Sequence, residues 1–305
     1  MRVLVLGAGA TGAYFGARLI QAGSEVHFLV RTARAEALRR DGLRINSPQG
    51  NFSASVNLLT QVPAQLPFDL VLLACKAYDL DAALAAIAPA VGETTRVLPL
   101  LNGLRHLGAL DLAFGAQRVW GGLCHISVAL QNDGSVLHLG QLHRLTFGAR
   151  SADARLDELA PALQAMPAEV RRSDSVLTAM WEKFAFLASL AGMTSQMRAA
   201  VGEIVATPDG VELMRRCYAE ACAIAAAEGH AIATPACEEA KTILTAAGSP
   251  LKASMLRDLQ RGAVTECEHI LGDLIQRAAA HGVDAPLLRA ATTHLRVYER
   301  SRLAG

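Results

Sequence analysis

The chain has 305 residues, of which 52% are hydrophobic and 19% are charged. This composition is typical of a folded globular protein of about two domains and excludes an intrinsically disordered chain. Lysine and arginine together number 29, and aspartate and glutamate together number 28, so the net charge is +1. A chain without a strong charge lacks the long-range field that attracts polyanions, which argues against a nucleic-acid or membrane partner.

The opening segment predicts a βαβ unit. We expect a buried strand over 2–6, a helix over about 11–22 and a second strand over 25–30. Between the first strand and the helix lies a GxGxxG pattern, in which glycines allow a tight turn, close approach to a pyrophosphate and packing of the helix on the strand. A bare glycine turn is the alternative. The predicted cofactor-binding residues are Gly7, Ala8, Gly9, Ala10, Thr11 and Gly12.

The charge that follows the second strand indicates which dinucleotide binds. NAD-binding units usually carry an acidic residue at this position, which holds the ribose 2′-hydroxyl. This chain has Arg31 instead, with Arg34 just beyond it. Because a guanidinium pairs with a 2′-phosphate in a bidentate manner, we predict NADP(H) rather than NAD(H). The alternative is that both arginines belong to a solvated, charged loop.

Further strands and helices follow in order. Apolar runs predict strands over 69–75 and 96–101, with a helix near 79–90 between them. From 117 to 148, short alternating runs separated by Asn132-Asp133-Gly134 and by Gly140 predict antiparallel hairpins at a sheet edge. These elements are typical of an α/β fold.

Strand signals fade after about residue 174, where alanine, leucine, glutamate and arginine recur at helical spacing. The predicted architecture is an N-terminal Rossmann-type doubly wound sheet over 1–173, which binds NADP, and an all-helical C-terminal domain over 174–305. A ligand is expected in the cleft between them, at the carboxyl ends of the strands.

Other classes of protein are disfavoured by the pattern. We find no apolar run close to the length that spans a bilayer. None of the six cysteines forms a CxxC pair or a zinc-ligand spacing, so no metal site is expected. Reduced thiols in a cytoplasmic protein are the simplest account of these cysteines.

Several motifs occur in chain order over nearly the whole length: GAGATGAYFGARL at the start, LLACKAYD, Leu101-Asn102-Gly103, Trp181-Glu182-Lys183, Ser254-Met-Leu-Arg-Asp258 and Thr265-Glu266. The first is generic to dinucleotide binders, but in combination the motifs resemble the ketopantoate reductase (2-dehydropantoate 2-reductase) family. The resemblance implies an oxidoreductase of pantothenate biosynthesis that reduces a small 2-oxo acid with NADPH, converting ketopantoate to pantoate.

The resemblance also implies roles for individual side chains. Lys183 would protonate the ketone oxygen, and Glu266 would help to hold the substrate and organise this lysine. Asn102 would contact cofactor and substrate, Lys76 would lie near the nicotinamide, and Ser254 would contact the substrate. From the residues alone, the apolar flank of Lys183 would partly bury its ammonium and lower its pKa towards that of a usable acid.

Each of these residues also has an ordinary structural interpretation. Lys183 could lie on the polar edge of an amphipathic helix, and Lys76 could extend to water at the end of a strand. Asn102-Gly103 is also a common turn signal. Glu266 could be a plain acidic residue at a helix N-terminus.

The spacing of the last two motifs poses a geometric problem. On an unbroken helix, Ser254 and Glu266 would lie about 18 Å apart, too far to contact one small molecule. Gly262 weakens a helix here, and Thr265 with Glu268 fits a capping box that would restart it. We therefore predict a break near 261–264.

The chain departs from the resembled family at three positions after the predicted catalytic lysine. Leu187, Ala191 and Val201 stand where ketopantoate-reducing members carry asparagines. Loss of these amides removes hydrogen bonds to a polar substrate. Two alternatives therefore stay open: a reductase of another 2-oxo acid or ketone, and a non-catalytic NADP(H)-sensing protein. A homodimer is one of the oligomeric states that the sequence leaves open.

Overall fold

The computed structural model describes residues 1–63 and 66–304. Contacts divide the chain into two compact units. The sheet unit consists of Met1–Leu101 and His106–Val176, and the helical unit consists of Asn102–Arg105 and Leu177–Gly305. Residues 102–105 thus belong to the helical unit by their contacts, although both flanking segments belong to the sheet unit. The predicted α/β fold class, with a parallel sheet and a helical C-terminal region, is confirmed.

The strands are β1 (Arg2–Leu6), β2 (Glu25–Leu29), β3 (Leu43–Asn46), β4 (Phe52–Ala54), β5 (Asn57–Leu59), β6 (Leu70–Leu73), β7 (Arg96–Pro99), β8 (Gly121–Leu130), β9 (Val136–Gly148) and β10 (Glu169–Arg172). The α-helices are α1 (Ala10–Gln21), α2 (Thr32–Asp41), α3 (Leu80–Ile87), α4 (Arg105–Phe114), α5 (Arg155–Gln164), α6 (Val176–Met197), α7 (Val201–Val205), α8 (Gly210–Ala227), α9 (Thr234–Leu244), α10 (Ser254–Gln260), α11 (Asp273–Ala280) and α12 (Pro286–Ala304).

The first sheet is parallel throughout, in the order β5-β2-β1-β6-β7. Its central strands are continuous apolar runs, as expected for a parallel sheet covered on both faces. Helix α1 approaches the sheet closely at Gly16, where an added Cβ would come within 2.5 Å of the Phe28 ring. The chain therefore follows the βαβ order that its opening segment predicts.

The predicted hairpin region forms a second sheet. Strands β8 and β9 pair as one long antiparallel hairpin, and β9 also pairs in parallel with β10 and β3. The prediction of antiparallel hairpins is therefore confirmed for one hairpin, which belongs to this second sheet. Gly140 does not separate two hairpins but lies inside β9, among residues 139–142, at a register shift against β8. Alternation predicts a strand but not its partner, because the partner comes from elsewhere in the chain.

Helix α6 is the long apolar helix of the helical unit. Among the described residues it alone has the length and composition to cross a membrane, so the expectation that no apolar run approaches that length was wrong. Of its most apolar 18-residue window, 61% is buried inside the protein, as in an ordinary core helix. Its composition is therefore weak evidence for a membrane span.

The predicted break after α10 is confirmed. That helix ends at Gln260, Gly262 has a φ of +70°, and helical structure resumes at Cys267. The predicted capping box is wrong, because both of its members bind α12 instead. The backbone N–H and hydroxyl of Thr265 donate to Glu299 Oε1, each over 2.7 Å, and Glu268 pairs with Arg296.

Candidate active site

Most of the predicted cofactor-binding residues follow the carboxyl ends of parallel strands. The glycine loop follows β1, Arg31 follows β2 and Lys76 follows β6. Strand β1 lies between β2 and β6. The strands that follow it in the chain are therefore added first on the β2 side of the sheet and later on the β6 side. Such a topological switch point is where open parallel sheets bind nucleotides. The sheet unit therefore offers a dinucleotide site at the place where the glycines lie.

The three glycines of the loop have different surroundings. Gly7 has a φ of +91°, and its N–H donates to Leu29 O over 3.0 Å. At Gly12 an added Cβ would meet Gly7 O at 2.1 Å, so the start of α1 can pack here only with a glycine. A Cβ added at Gly9 would have no atom of the described residues within 4 Å. The fold thus requires the third glycine, and the second borders open space at a helix N-terminus, where a phosphate binds favourably.

Arg31 and Arg34 occupy different environments. The Arg31 side chain is 82% exposed, and its Nη2 donates to Asp79 Oδ1 over 2.9 Å. Arg34 is half-buried, and its guanidinium donates hydrogen bonds to two backbone carbonyl oxygens, Ala8 O and Gly134 O, each over 3.1 Å. Burial lowers the pKa of Arg34. Arg31 therefore presents its guanidinium to solvent, whereas Arg34 braces the glycine loop, a role that sequence reasoning missed.

Lys183 and Asn102 form a hydrogen-bonded pair in the helical unit. The ammonium Nζ of Lys183, on α6, donates to Asn102 Oδ1 over 3.0 Å. Lys183 is itself half-buried, and the residues that follow it, Phe184 and Ala185, are buried in the core. The chain therefore brings together two residues that the family resemblance singles out and that lie 81 positions apart.

The turn that carries Asn102 packs against a π-helical turn, Glu268–Gly272. At Gly103, whose φ is +78°, an added Cβ would lie 3.3 Å from His269 O and 3.6 Å from Phe184 Cε2. Burial lowers the pKa of the His269 imidazole, and the Glu266 carboxylate and a hydrogen bond to the backbone of Asn102 partly oppose that shift. Glu266 thus shares a neighbour with Asn102. Sequence reasoning missed His269, because no motif marks it.

The other two predicted residues, Lys76 and Ser254, lie at the starts of short helical elements. Lys76 is half-buried and precedes a 3-10 turn, Ala77–Asp79. Ser254 is exposed at the first position of α10. Their roles stay predictions.

The three departures from the family pattern differ in burial. Ala191 and Val201 are almost completely buried in the core. Leu187, one helical turn after Lys183, is half-buried. Of the three, Leu187 is the one with partial exposure on the same helix face as Lys183.

A parallel sheet with a glycine loop at its switch point is typical of a dinucleotide-binding protein of the Rossmann type. Two family models match the sequence of this chain. The model described as Ketopantoate reductase PanE/ApbA matches residues 3–152, and the model described as Ketopantoate reductase PanE/ApbA C terminal matches residues 175–299. The chain belongs to the ketopantoate reductase family, whose members are NADP-dependent oxidoreductases.

Individual relatives cover the whole chain. An oxidoreductase of Bacillus subtilis, YkpB, is 36% identical, over 99% of this chain and 100% of its own. The crystal structure of 2-dehydropantoate 2-reductase from Geobacter metallireducens is 31% identical, with a TM-score of 0.88 over 97% of this chain and 99% of its own. A D-mandelate dehydrogenase, solved with NADH and anilino(oxo)acetate, is 22% identical, with a TM-score of 0.89 over 99% of both chains, and shares the fold.

The different surroundings of Gly9 and Gly12 predict different effects of the same substitution. Gly12→Ala should lower the free energy of unfolding by about 3 kcal/mol, because its Cβ meets backbone that cannot move aside. Gly9→Ala should cost less than about 1 kcal/mol but weaken NADPH binding at least about tenfold, because the methyl group occupies the approach of the pyrophosphate. Urea unfolding and fluorescence titration with NADPH measure the two effects. Undiminished NADPH binding by Gly9→Ala would contradict a phosphate site at this loop.

Proposed function

We propose that this enzyme reduces the keto group of a 2-oxo acid with NADPH, and that 2-dehydropantoate is the first candidate substrate. The observation that carries the proposal is the hydrogen bond of 3.0 Å between Lys183 Nζ and Asn102 Oδ1. It joins a proton donor to an amide that can bind a substrate oxygen. We assign NADP binding to residues 1–173 and substrate binding and catalysis to 174–305, together with Asn102.

The sheet unit has the features that NADPH requires. Open space at Gly9 and the N-terminus of α1 fit the pyrophosphate, with the loop Gly7–Gly12 around it. Arg31, exposed after β2, would bind the 2′-phosphate, while Asp79 supports its guanidinium. Lys76 and Asn102 would contact the nicotinamide end. When bound, NADPH supplies the hydride that adds to the carbonyl carbon of the substrate.

Lys183 would complete the reduction as the general acid. As the carbonyl carbon is reduced, the ketone oxygen takes a proton from Lys183 Nζ, which leaves a hydroxyl group and a neutral amine that water reprotonates. Donation to Asn102 fixes the direction of one N–H bond of the ammonium and thereby orients the others. We assign substrate contacts to Asn102 and Ser254, and to Glu266 a part in holding the substrate and organising Lys183.

A second candidate substrate class is favoured by Leu187. A half-buried apolar side chain stands one helical turn from Lys183, where an asparagine would bind a polar substrate. A 2-oxo acid or ketone with an apolar side chain would suit this surface better. We also propose a cytoplasmic location, since the six cysteines are free thiols, as expected in a reducing compartment.

A panel of 2-oxo acids tests the function. We expect the purified protein to oxidise NADPH, followed at its absorbance band, with 2-dehydropantoate as substrate. A higher kcat/KM for acids with branched or aromatic apolar side chains would favour the second class. Stabilisation by NADPH without oxidation by any member of the panel would contradict an enzyme and point to a cofactor sensor.

Lys183→Ala should abolish most turnover and spare cofactor binding. We expect kcat to fall roughly 10² to 10⁴-fold, because the variant lacks the proton donor. The Kd for NADPH should change less than about twofold, because the glycine loop and Arg31 are intact. Lys241→Ala, which removes an exposed lysine paired with Glu238, is the matched control and should keep full activity. Unchanged turnover by Lys183→Ala would remove Lys183 from the chemistry.

Arg31→Ala should change the cofactor preference. Loss of a charge-assisted contact to the 2′-phosphate should weaken NADPH binding about 10- to 100-fold and leave NADH binding nearly unchanged. Arg39→Ala, on the exposed face of α2, is the control and should affect neither cofactor. Equal losses for NADPH and NADH would mean that Arg31 does not read the 2′-phosphate.

A further inference from the structure

His269 is a buried histidine that the proposed reaction does not use. It is 8% exposed and lies in the π-helical turn Glu268–Gly272 of the helical unit. π-Helical turns are rare and frequently occur at functional sites, since the extra residue in the turn changes which side chains share a face. This turn begins two residues after Glu266, where the chain re-enters a helix.

The imidazole of His269 is bonded to the turn that carries Asn102. Its hydrogen bond to the backbone of Asn102 favours the protonated ring, which identifies the imidazole as donor and the Asn102 carbonyl as acceptor. The absence of a side chain at Gly103 permits this approach, because a Cβ there would lie 3.5 Å from His269 Cδ2 and 3.3 Å from His269 O. Arg105 Nη1 donates to Glu268 O over 3.3 Å on the same turn. The segment 102–105 is therefore bound to residues 268–269 along its length.

Burial favours the neutral form of the His269 imidazole. Burial is the largest influence and lowers its pKa, and Arg105 acts in the same direction. Glu266 and Asp273 raise the pKa without reversing the shift. Asp273 is itself buried and accepts a hydrogen bond from Arg277 Nε over 3.0 Å. The positive charge of Arg277 offsets part of the effect of Asp273 on His269. A neutral imidazole has one N–H, and the Asn102 carbonyl accepts it.

We propose that His269 is a positioning residue for the reduction, and that it acts through Asn102 on Lys183. By holding the Asn102 carbonyl, His269 fixes the backbone from which the Asn102 amide reaches Lys183 Nζ at 3.0 Å. Without that bond the turn can shift, and displacements of about 1 Å at a catalytic pair cost on the order of 10²-fold in rate. The kinetic tests of this role rest on the proposed function.

The test compares variants that remove or keep a donor at position 269. His269→Leu removes the donor and should lower kcat roughly 10- to 100-fold, with the KM for NADPH changed less than about twofold. His269→Asn and His269→Gln each carry an amide donor that corresponds to one of the two ring nitrogens. One of them should recover most of the lost kcat. Unchanged kcat in His269→Leu, or equal loss in all three variants, would overturn the proposal.

A double-mutant cycle separates positioning from general destabilisation. If His269 acts through Asn102, then His269→Leu should cost little further activity in an Asn102→Ala background. Independent, multiplicative losses would show that His269 acts by another route. The thermal unfolding of each variant is measured together with its kinetics. If His269→Leu is unfolded, the kcat values of His269→Asn and His269→Gln are compared with that of the wild type.

A spectroscopic measurement needs no substrate. The side-chain amide resonance of Asn102, assigned by its loss in Asn102→Ala, should shift in His269→Leu because the amide leaves its place beside Lys183. A shifted resonance in a protein without turnover would retain the positioning role and contradict the proposed function. An unmoved resonance would contradict the positioning role even in an active enzyme.

Discussion

The hydrogen bond between Lys183 and the side-chain amide of Asn102 is the interaction on which the proposed chemistry of this protein depends. A half-buried ammonium needs a hydrogen-bond acceptor, and Asn102 Oδ1 supplies one at 3.0 Å. A carboxylate in that place would favour the protonated lysine strongly and oppose release of the proton. A neutral oxygen orients the N–H without that penalty. In the proposed reaction, the hydrogen bond to Asn102 therefore fixes the direction of the Lys183 ammonium.

The cofactor side obeys a different constraint, which is steric. Gly12 must lack a side chain because Gly7 O stands 2.1 Å from where its Cβ would be, and this contact sets the start of α1 against β1. The helix N-terminus then borders the open space at Gly9. Arg34 adds a brace from the next helix by binding Ala8 O. A rigid loop loses little freedom when a pyrophosphate binds, so more of the contact energy appears as affinity.

Local structure could be predicted from the sequence, whereas the pairing of residues distant in the chain could not. The βαβ unit and the glycine loop depend on periodicity and on glycine within short windows, and they were predicted from these alone. The break after α10 was predicted from Gly262 together with the family resemblance, which requires Ser254 and Glu266 to approach one substrate. Thr265 and Glu268 fit a capping box, but their partners in α12 lie about 30 positions away. The parallel partners of β9 in the second sheet, β10 and β3, likewise come from other parts of the chain. Lys183 and Asn102 were named through family resemblance, and no sequence rule could foresee that His269 binds the backbone of Asn102.

Residues 102–105 complicate any recombination of this chain with a relative. A crossover near residue 174 would look like a clean exchange of halves, because the sheet elements lie before it and the long helices after it. Yet Asn102 would then come from one parent, and Lys183 and His269 from the other. Hybrids joined there would inherit mismatched partners at this junction, whereas hybrids that also transplant the tetrapeptide Asn102–Arg105 would keep co-adapted neighbours together.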